Sequence, residues 1–175
     1  MAVTMTSEDS MLLAAFVAAF EVEETDLYGQ PNGRPCKYST EPEILEVLSA
    51  ALPGRLPPLY ERLVLSYRWP SAELPSLSLL ANPQGPTLDG LLAQIRQESG
   101  LWEGLAPLGY IPFGRGPGGH YDPVCFDTRR RLRDGDCPVV QIDHEEILCH
   151  FRVRVVSEKA GSFRELVMDI LERDR

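Results

Sequence analysis

The chain predicts an α+β fold, a single antiparallel β-sheet with flanking helices, on three observations. Helical periodicities fill the first half of the 175 residues, and short apolar runs with strand character fill most of the second. The 14 Gly and 15 Pro imply many turns and short elements, which excludes a plain helical bundle. Asp134-Gly135, set in the charged stretch 128–136 between two apolar runs, is a hairpin signal.

Taken in order, Ser7 to Phe20 reads as a helix. Ser7 or Ser10 is placed to cap it, and Leu12, Leu13, Phe16, Val17 and Phe20 form one broad apolar face. The acidic stretch Glu21–Asp26 follows, then a loop over Tyr28–Lys37 with Gly and Pro at turn spacing. Thr40-Glu41-Pro42-Glu43 has the form of a capping box with Pro in the first turn, opening a helix that ends at Pro53-Gly54. Leu56-Pro57-Pro58 opens a third helix, with Leu59, Tyr60, Leu63 and Val64 as its stripe. Residues 67–83 read as short extended pieces broken by Pro70 and Pro75. Thr87 or Asp89 caps a fourth helix running to about Glu98, with Gly100 as its stop. Strands are expected at Leu108–Phe113, Pro123–Phe126 and Val139–Asp143. Another is expected within Ile147–Val156, where Phe151, Val153 and Val155 alternate with Arg152 and Arg154. Ser162 caps a last helix from Phe163 to Leu171, with Glu165 at the capping-box position.

Composition narrows the function. The formal charge of −9 disfavours a nucleic-acid backbone as partner, because gripping phosphates takes clustered Lys and Arg. Residues 1–60 hold nine acids against three bases, so the charge is concentrated near the start; this suits steering of a basic partner, and equally suits solubility. No run reaches the roughly 18–20 apolar residues of a membrane span. Met11–Phe20 is too short and follows Glu8 and Asp9, not a basic leader, so a cytoplasmic protein without membrane contact is expected. Cys36, Cys125, Cys137 and Cys149 lack CxxC spacing and fit free thiols in a reducing compartment, with Cys125 and Cys149 as small core residues.

Several motifs invite chemistry. Asp143-His144-Glu145-Glu146 has the groups of an acid–base site. Read as a strand, it sends adjacent side chains to opposite faces, and the structural reading has Asp143 and Glu145 taking backbone donors at a strand end. His120, His144, His150 and the cysteines of the second half are zinc-type ligands without the paired spacing of a zinc site, so no metal or cofactor is expected. Gly114-Arg115-Gly116-Pro117-Gly118-Gly119 lacks the Lys-Ser/Thr of a phosphate loop and precedes a strand, so it reads as a turn that lets strands pack closely. Arg129–Arg133 is a basic run flanked by Asp127, Asp134 and Asp136 without interleaved aromatics, a hairpin tip before it is a nucleic-acid site. Trp69 and Trp102 read as core or core-edge residues.

An ordered set of residues resembles the SUKH superfamily, the group of the Smi/Knr cell-wall regulators and many bacterial immunity proteins. The set is Leu56-Pro57 with Tyr60, then Ile111-Pro112-Phe113-Gly114, Gly118-Gly119, Val124-Cys125-Phe126-Asp127, Pro138-Val139, Asp143-His144-Glu145, and Ser162-Phe163 with Leu166. It covers roughly residues 40–171. The chain departs from the pattern at Tyr67-Arg68-Trp69-Pro70, where the family often has Asn-Gly-Gly, and at His120, where many members have Asp. Residues 1–38 then form an N-terminal helical and acidic extension and residues 39–175 the SUKH-like domain.

The resemblance implies a SUKH-like α+β fold, no catalytic activity, and use as a protein-binding module; bacterial members act as antidotes that block toxins, often nucleases. The expectation is a non-catalytic immunity protein with a basic toxin enzyme as partner, or a scaffold or regulatory module without a toxin. A His-dependent enzyme or metalloprotein is the alternative from another class. The contact patch is expected at Glu21, Glu23, Glu24, Asp26 and Tyr28, with His120, Tyr121 and Asp122 as a second loop. Gly114, Gly118, Gly119, Asp127, Asp143, His144 and Glu145 are assigned structural roles.

Overall fold

The computed structural model describes residues 5–175; residues 1–4 of the N-terminal extension lie outside them. Helix α1, Ser7–Ala18, is capped by the Thr6 hydroxyl, which accepts from the Asp9 N–H, in place of Ser7 or Ser10. A short strand β1, Cys36–Lys37, leads to α2, Pro42–Ala50, and α3, Pro58–Ser66. The capping box expected at Thr40 does not form. Glu41 is the N-cap of α2 without a side-chain bond, because the Thr40 hydroxyl is taken by the buried Arg68 at 2.6 Å. β2, Tyr67–Arg68, pairs with β1 as a separate two-stranded sheet.

The main sheet is a six-stranded antiparallel meander in the order β3, Ala72–Leu74; β4, Leu77–Leu79; β5, Tyr110–Arg115; β6, Pro123–Asp127; β7, Val139–Ile142; and β8, Val155–Ala160. The expected α+β class with an antiparallel sheet and flanking helices is therefore present, with the two-stranded sheet as an addition.

Strand alternation sends side chains to two cores. Ile111, Phe113, Val124, Phe126 and Val139 face the larger one, covered by α1, α2, α3, α4 (Asp89–Ile95) and α7 (Phe163–Arg173). Tyr110, Cys125, Val140 and Ile142 face a smaller one, closed by α5 (Ser99–Leu105) and α6 (His144–His150) through Leu101, Leu105 and Ile147. In the larger core Phe113 and Phe126 stack with centroids 3.9 Å apart, and Phe163 meets both edge-on at 5.9 and 5.6 Å. Edge-to-face and offset contacts of this kind add about 0.5–1.5 kcal/mol each beyond burial. Leu13 and Phe16 of α1 are fully buried in the same core, and Phe16 meets Phe163 at 6.1 Å. Buried Asp9 binds Arg62 of α3 and Arg164 of α7. The N-terminal helix thus packs on the rest of the chain.

Three other expectations change. The fourth helix stops at Ile95, and Gly100 lies inside α5, where it does not act as a stop. A Cβ on Gly104 would stand 2.6 Å from Ile147 Cγ2, and one on Gly100 would stand 3.0 Å from Leu148 Cδ2, so these glycines let α5 approach α6. Ala106–Leu108 is a 3-10 turn closed by Gly109 at φ +80°, so β5 starts two residues later than expected. The stretch expected as a strand within 147–156 is helix, loop and then strand. Asp143 caps α6, Phe151 ends it in the left-handed region at φ +53°, and β8 begins only at Val155. The alternation of Phe151, Val153 and Val155 imitates strand period across what is largely a connection.

Candidate functional site

The expected acidic contact residues lie in one ordered loop beside the sheet edge. Phe20 packs edge-on against Trp69 at 5.8 Å and anchors its start. Glu21 then exchanges two backbone hydrogen bonds with Glu73 of β3, at 3.0 and 2.7 Å. From Glu24 to Asn32 the chain turns back on itself. The Asn32 N–H donates to the Glu24 carbonyl at 2.9 Å, the Asp26 N–H to the Gln30 carbonyl at 2.8 Å, and the Asn32 side-chain amide to the Glu23 carbonyl at 3.0 Å. Asp26 Oδ1 accepts from the backbone of Tyr28 and Gln30 at 2.8 and 2.9 Å, an Asx turn that closes the tip, with Gly29 at φ +74°. Asp26 therefore shapes the turn. At that tip Leu27 is 98% and Tyr28 88% exposed, while Glu21, Glu23 and Glu24 are exposed along the loop. Leu27 was not among the sequence candidates. Its signal was an apolar residue between Asp26 and Tyr28 in a turn, which periodicity does not weigh.

The second expected loop is the β5–β6 hairpin, mounted on different strands. Gly118 and Gly119 turn it at φ +69° and +84°. Gly114, within β5, has the close approach expected of it: a Cβ there would stand 2.7 Å from the Ser78 carbonyl oxygen and 2.4 Å from Leu77 Cδ1. His120 and Tyr121 are exposed, but Asp122 turns inward. Asp122 Oδ1 accepts from the His144 backbone N–H at 3.0 Å and lies 2.7 Å from His144 Nδ1. The Tyr121 ring sits 5.6 Å from the imidazole.

The strand argument that kept Asp143 and His144 apart fails, because they begin a helix. Asp143 Oδ1 accepts from the Glu146 N–H, as an N-cap does, and its other oxygen pairs with Arg154. The Arg154 hydrogen bond, followed by that backbone N–H, holds the Asp143 carboxyl below the usual carboxylate range. Glu145 is exposed on the first turn and does not share this role. Ligand atoms of Asp122, Asp143 and His144 lie within 4.8 Å of one another, so these are the residues that could hold a divalent cation, once Arg154 moved off Asp143. As arranged, Asp122 orients the imidazole and ties the hairpin to α6. The tie is structural, and it joins the two residue types, carboxylate and imidazole, that acid–base sites use.

The remaining candidates are largely neutralised within the fold. Asp127 is buried and binds Arg129 and Arg130. Arg129 also lies over the Tyr110 ring at 4.6 Å, Arg130 pairs with Glu158, and Arg131 donates to the Gly135 carbonyl at 2.6 Å. Cys125 and Cys137 are buried free thiols, whereas Cys149 is exposed on α6, contrary to its assignment to the core. Trp69 is buried and donates from Nε1 to the Leu80 carbonyl at 2.9 Å. Trp102 is half-buried at the core edge. Among the described residues, no helix is long and apolar enough to cross a membrane. No family model matches the chain, and no curated protein matches it.

Proposed function

We propose that the chain is a non-catalytic, SUKH-type protein-binding module, an immunity protein that occludes a basic toxin enzyme such as a nuclease. One observation carries this reading: the 21–32 loop is held by its own hydrogen bonds so that Leu27 and Tyr28 project into solvent between carboxylates. Large apolar side chains at full exposure on an ordered turn are costly in water and useful as anchors. Glu21, Glu23 and Glu24 around them complement the basic groove with which a nuclease grips phosphates. The His120–Asp122 hairpin is the second contact in this reading. The sequence resemblance to SUKH proteins supports the class of partner.

The test is binding and rescue with an enzyme encoded beside this gene, using toxin inactivated by mutation for the binding arm. A one-to-one complex whose association slows with salt is expected, with Tyr28→Ala weakening it by about tenfold or more. Glu23→Lys with Glu24→Lys should lower the association rate most. Binding that ignores all these substitutions sinks the loop as the contact. Recovery of several unrelated cellular proteins and no toxin points to a scaffold role.

The Asp122–His144 pair favours a second reading, a His-dependent enzyme or metalloprotein. In that case His144→Ala abolishes an activity while leaving the fold intact; if it changes only the melting temperature, this reading fails.

A further inference from the structure

We propose that Asn32 is a modification site: the Asn32-Gly33 step converts to aspartate or isoaspartate with loss of ammonia, and this unlatches the 21–32 loop. Asparagine is a thermolabile residue, and glycine after it leaves the attacking backbone nitrogen unshielded by any side chain. The chain holds two asparagines, and they are opposites. Asn82 is fully buried and donates from Nδ2 to the Val64 and Tyr67 carbonyls at 3.1 and 2.9 Å. It precedes Pro83, whose nitrogen has no proton to lose. Asn32 is half-buried and precedes an exposed Gly33. Among the described residues the Gly33 N–H meets no hydrogen-bond acceptor, so its nitrogen is free to react. Nothing in the backbone calls for glycine there. Its φ lies outside the left-handed region, and a Cβ would meet no atom within 4 Å.

The step balances with water alone. The Gly33 nitrogen gives its proton to hydroxide and bonds to Asn32 Cγ. The Cγ–Nδ2 bond breaks, and ammonia leaves with a proton taken from water, which regenerates hydroxide and closes a cyclic imide. A second water opens the ring. Cleavage at the side-chain carbonyl gives aspartate; cleavage at the backbone carbonyl gives isoaspartate, with the main chain rerouted through the former side chain. In sum, an amide and water become a carboxylate and an ammonium ion.

Asn32 is where the loop is tied. Its side-chain amide donates to the Glu23 carbonyl at 3.0 Å, and its backbone N–H to the Glu24 carbonyl at 2.9 Å. Bonds in an exposed loop open at low cost, so the Glu23 bond slows the step without forbidding it. The product has no Nδ2–H to donate, and its carboxylate meets the Glu23 carbonyl as one acceptor against another. Glu23, Glu24 and Asp26 already make this stretch acidic, and the new charge adds to theirs. Isoaspartate also inserts a methylene into the main chain before Gly33. The turn at Asp26 is then left to hold Leu27 and Tyr28 without its latch, and less ordered anchors bind less well. This consequence for a partner rests on the toxin-binding reading; the modification and the unlatching do not.

Peptide mapping of the full chain tests it, after incubation at mildly alkaline pH, where hydroxide is more abundant. Cleavage after Glu24 and Glu41 isolates residues 25–41, and fragmentation of that peptide locates the mass gain of an amide turned acid. The expected result is conversion at Asn32 in the folded chain, slower than in the urea-unfolded chain, and none at Asn82. Gly33→Ala keeps the Asn32 amide, fits the open space, and should slow conversion severalfold. Asn32→Asp carries the product's charge and should raise amide hydrogen exchange at Asp26, Tyr28 and Gln30 by about two- to tenfold, the worth of one hydrogen bond. Circular dichroism checks that both variants keep the fold. Asn32 left intact in the folded chain when the unfolded chain has converted overturns the proposal. So do equal conversion rates in Gly33→Ala, or exchange in Asn32→Asp that matches the natural chain's. Neither readout needs a toxin, so failure here and failure of the toxin-binding reading are separate results.

Discussion

Asp136→Ala should cost more stability than almost any other polar substitution in this chain. Asp136 is buried, and its Oδ1 accepts from the N–H groups of Cys137 and Phe163 at 2.8 and 2.9 Å, while Oδ2 accepts from the Arg164 N–H at 3.2 Å. Ser162 supplies the bond to the next donor, the Glu165 N–H. One carboxylate thus serves the first two orphan donors of α7 and the backbone entering β7, and it fixes where Phe163 enters the aromatic core. Alanine strips the acceptor and leaves the N–H groups of Cys137 and Phe163 buried, at about 1–3 kcal/mol each. Loss of the negative charge at the N-terminus of α7 adds about 0.3–1 kcal/mol. The expected loss is about 3–5 kcal/mol, a third or more of an ordinary domain's stability. Asp136→Asn can keep the Oδ1 contacts and loses mainly the Arg164 bond, so it should cost about 1–2 kcal/mol. Urea unfolding followed by circular dichroism measures both, with an unchanged slope showing that only stability moved. A loss under about 1 kcal/mol for the alanine variant would refute the reasoning, because the buried donors would then have another acceptor or water.

Asp9→Asn removes the carboxylate shared by Arg62 and Arg164; breaking a buried pair costs about 3–5 kcal/mol, and the part-exposure of Arg164 brings this to about 2–3. Burial acts to raise the Asp9 pKa, but hydrogen bonds from Arg164 and Thr6 and the charges of both arginines outweigh it, and the net shift is downward. Its stabilisation is therefore in place above the unfolded value of about 4 and is lost as pH falls through the lower folded value. Acid titration of stability should show that step in the natural chain and not in Asp9→Asn. Gly114→Ala places a methyl group against the Ser78 carbonyl and Leu77, and should cost about 1–3 kcal/mol in thermal or urea unfolding; a neutral result would mean that β4 gives way freely. In a thiol-labelling time course Cys149 should react first. Cys125 and Cys137 should wait for unfolding, since burial pushes the Cys137 thiol up to about 12 and raises that of Cys125 as well. Rapid labelling of Cys137 in the folded protein would contradict its place under the sheet.

Where local signals were strong, the sequence could be read directly. Ser162 and Glu165 mark the start of α7, and both make the bonds expected of them, Ser162 to the Glu165 N–H and Glu165 to the Gly161 N–H. Leu56-Pro57-Pro58 starts α3, with Pro57 at the N-cap. The Gly118-Gly119 turn and the β5–β6 pair follow from glycine's backbone freedom and from apolar runs that can be buried on both faces. The α+β class and the antiparallel sheet came from these, because caps, turns and periodicities depend on neighbours a few residues apart.

Other outcomes depended on contacts between residues far apart in the chain. Thr40 had the pattern of a cap, yet Arg68, 28 residues on, claims its hydroxyl. Asp143-His144 had the pattern of a strand end, yet Asp122, 22 residues before His144, meets the first turn of a helix there. Gly100 looked like a helix stop, and α6 makes it a packing surface. Asp136 looked like part of a charged turn, and the start of α7, 27 residues later, makes it a buried acceptor for that helix's first two N–H groups. The sequence by itself determined the α+β class, the starts of α3 and α7 and the acidic loop with Tyr28. Only the tertiary structure decided that Leu27 joins Tyr28 in solvent and that Asp122 and His144 meet. A side chain's partner is set by whichever distant element arrives beside it, and that arrival is fixed by burial of the whole core, which no local spacing encodes.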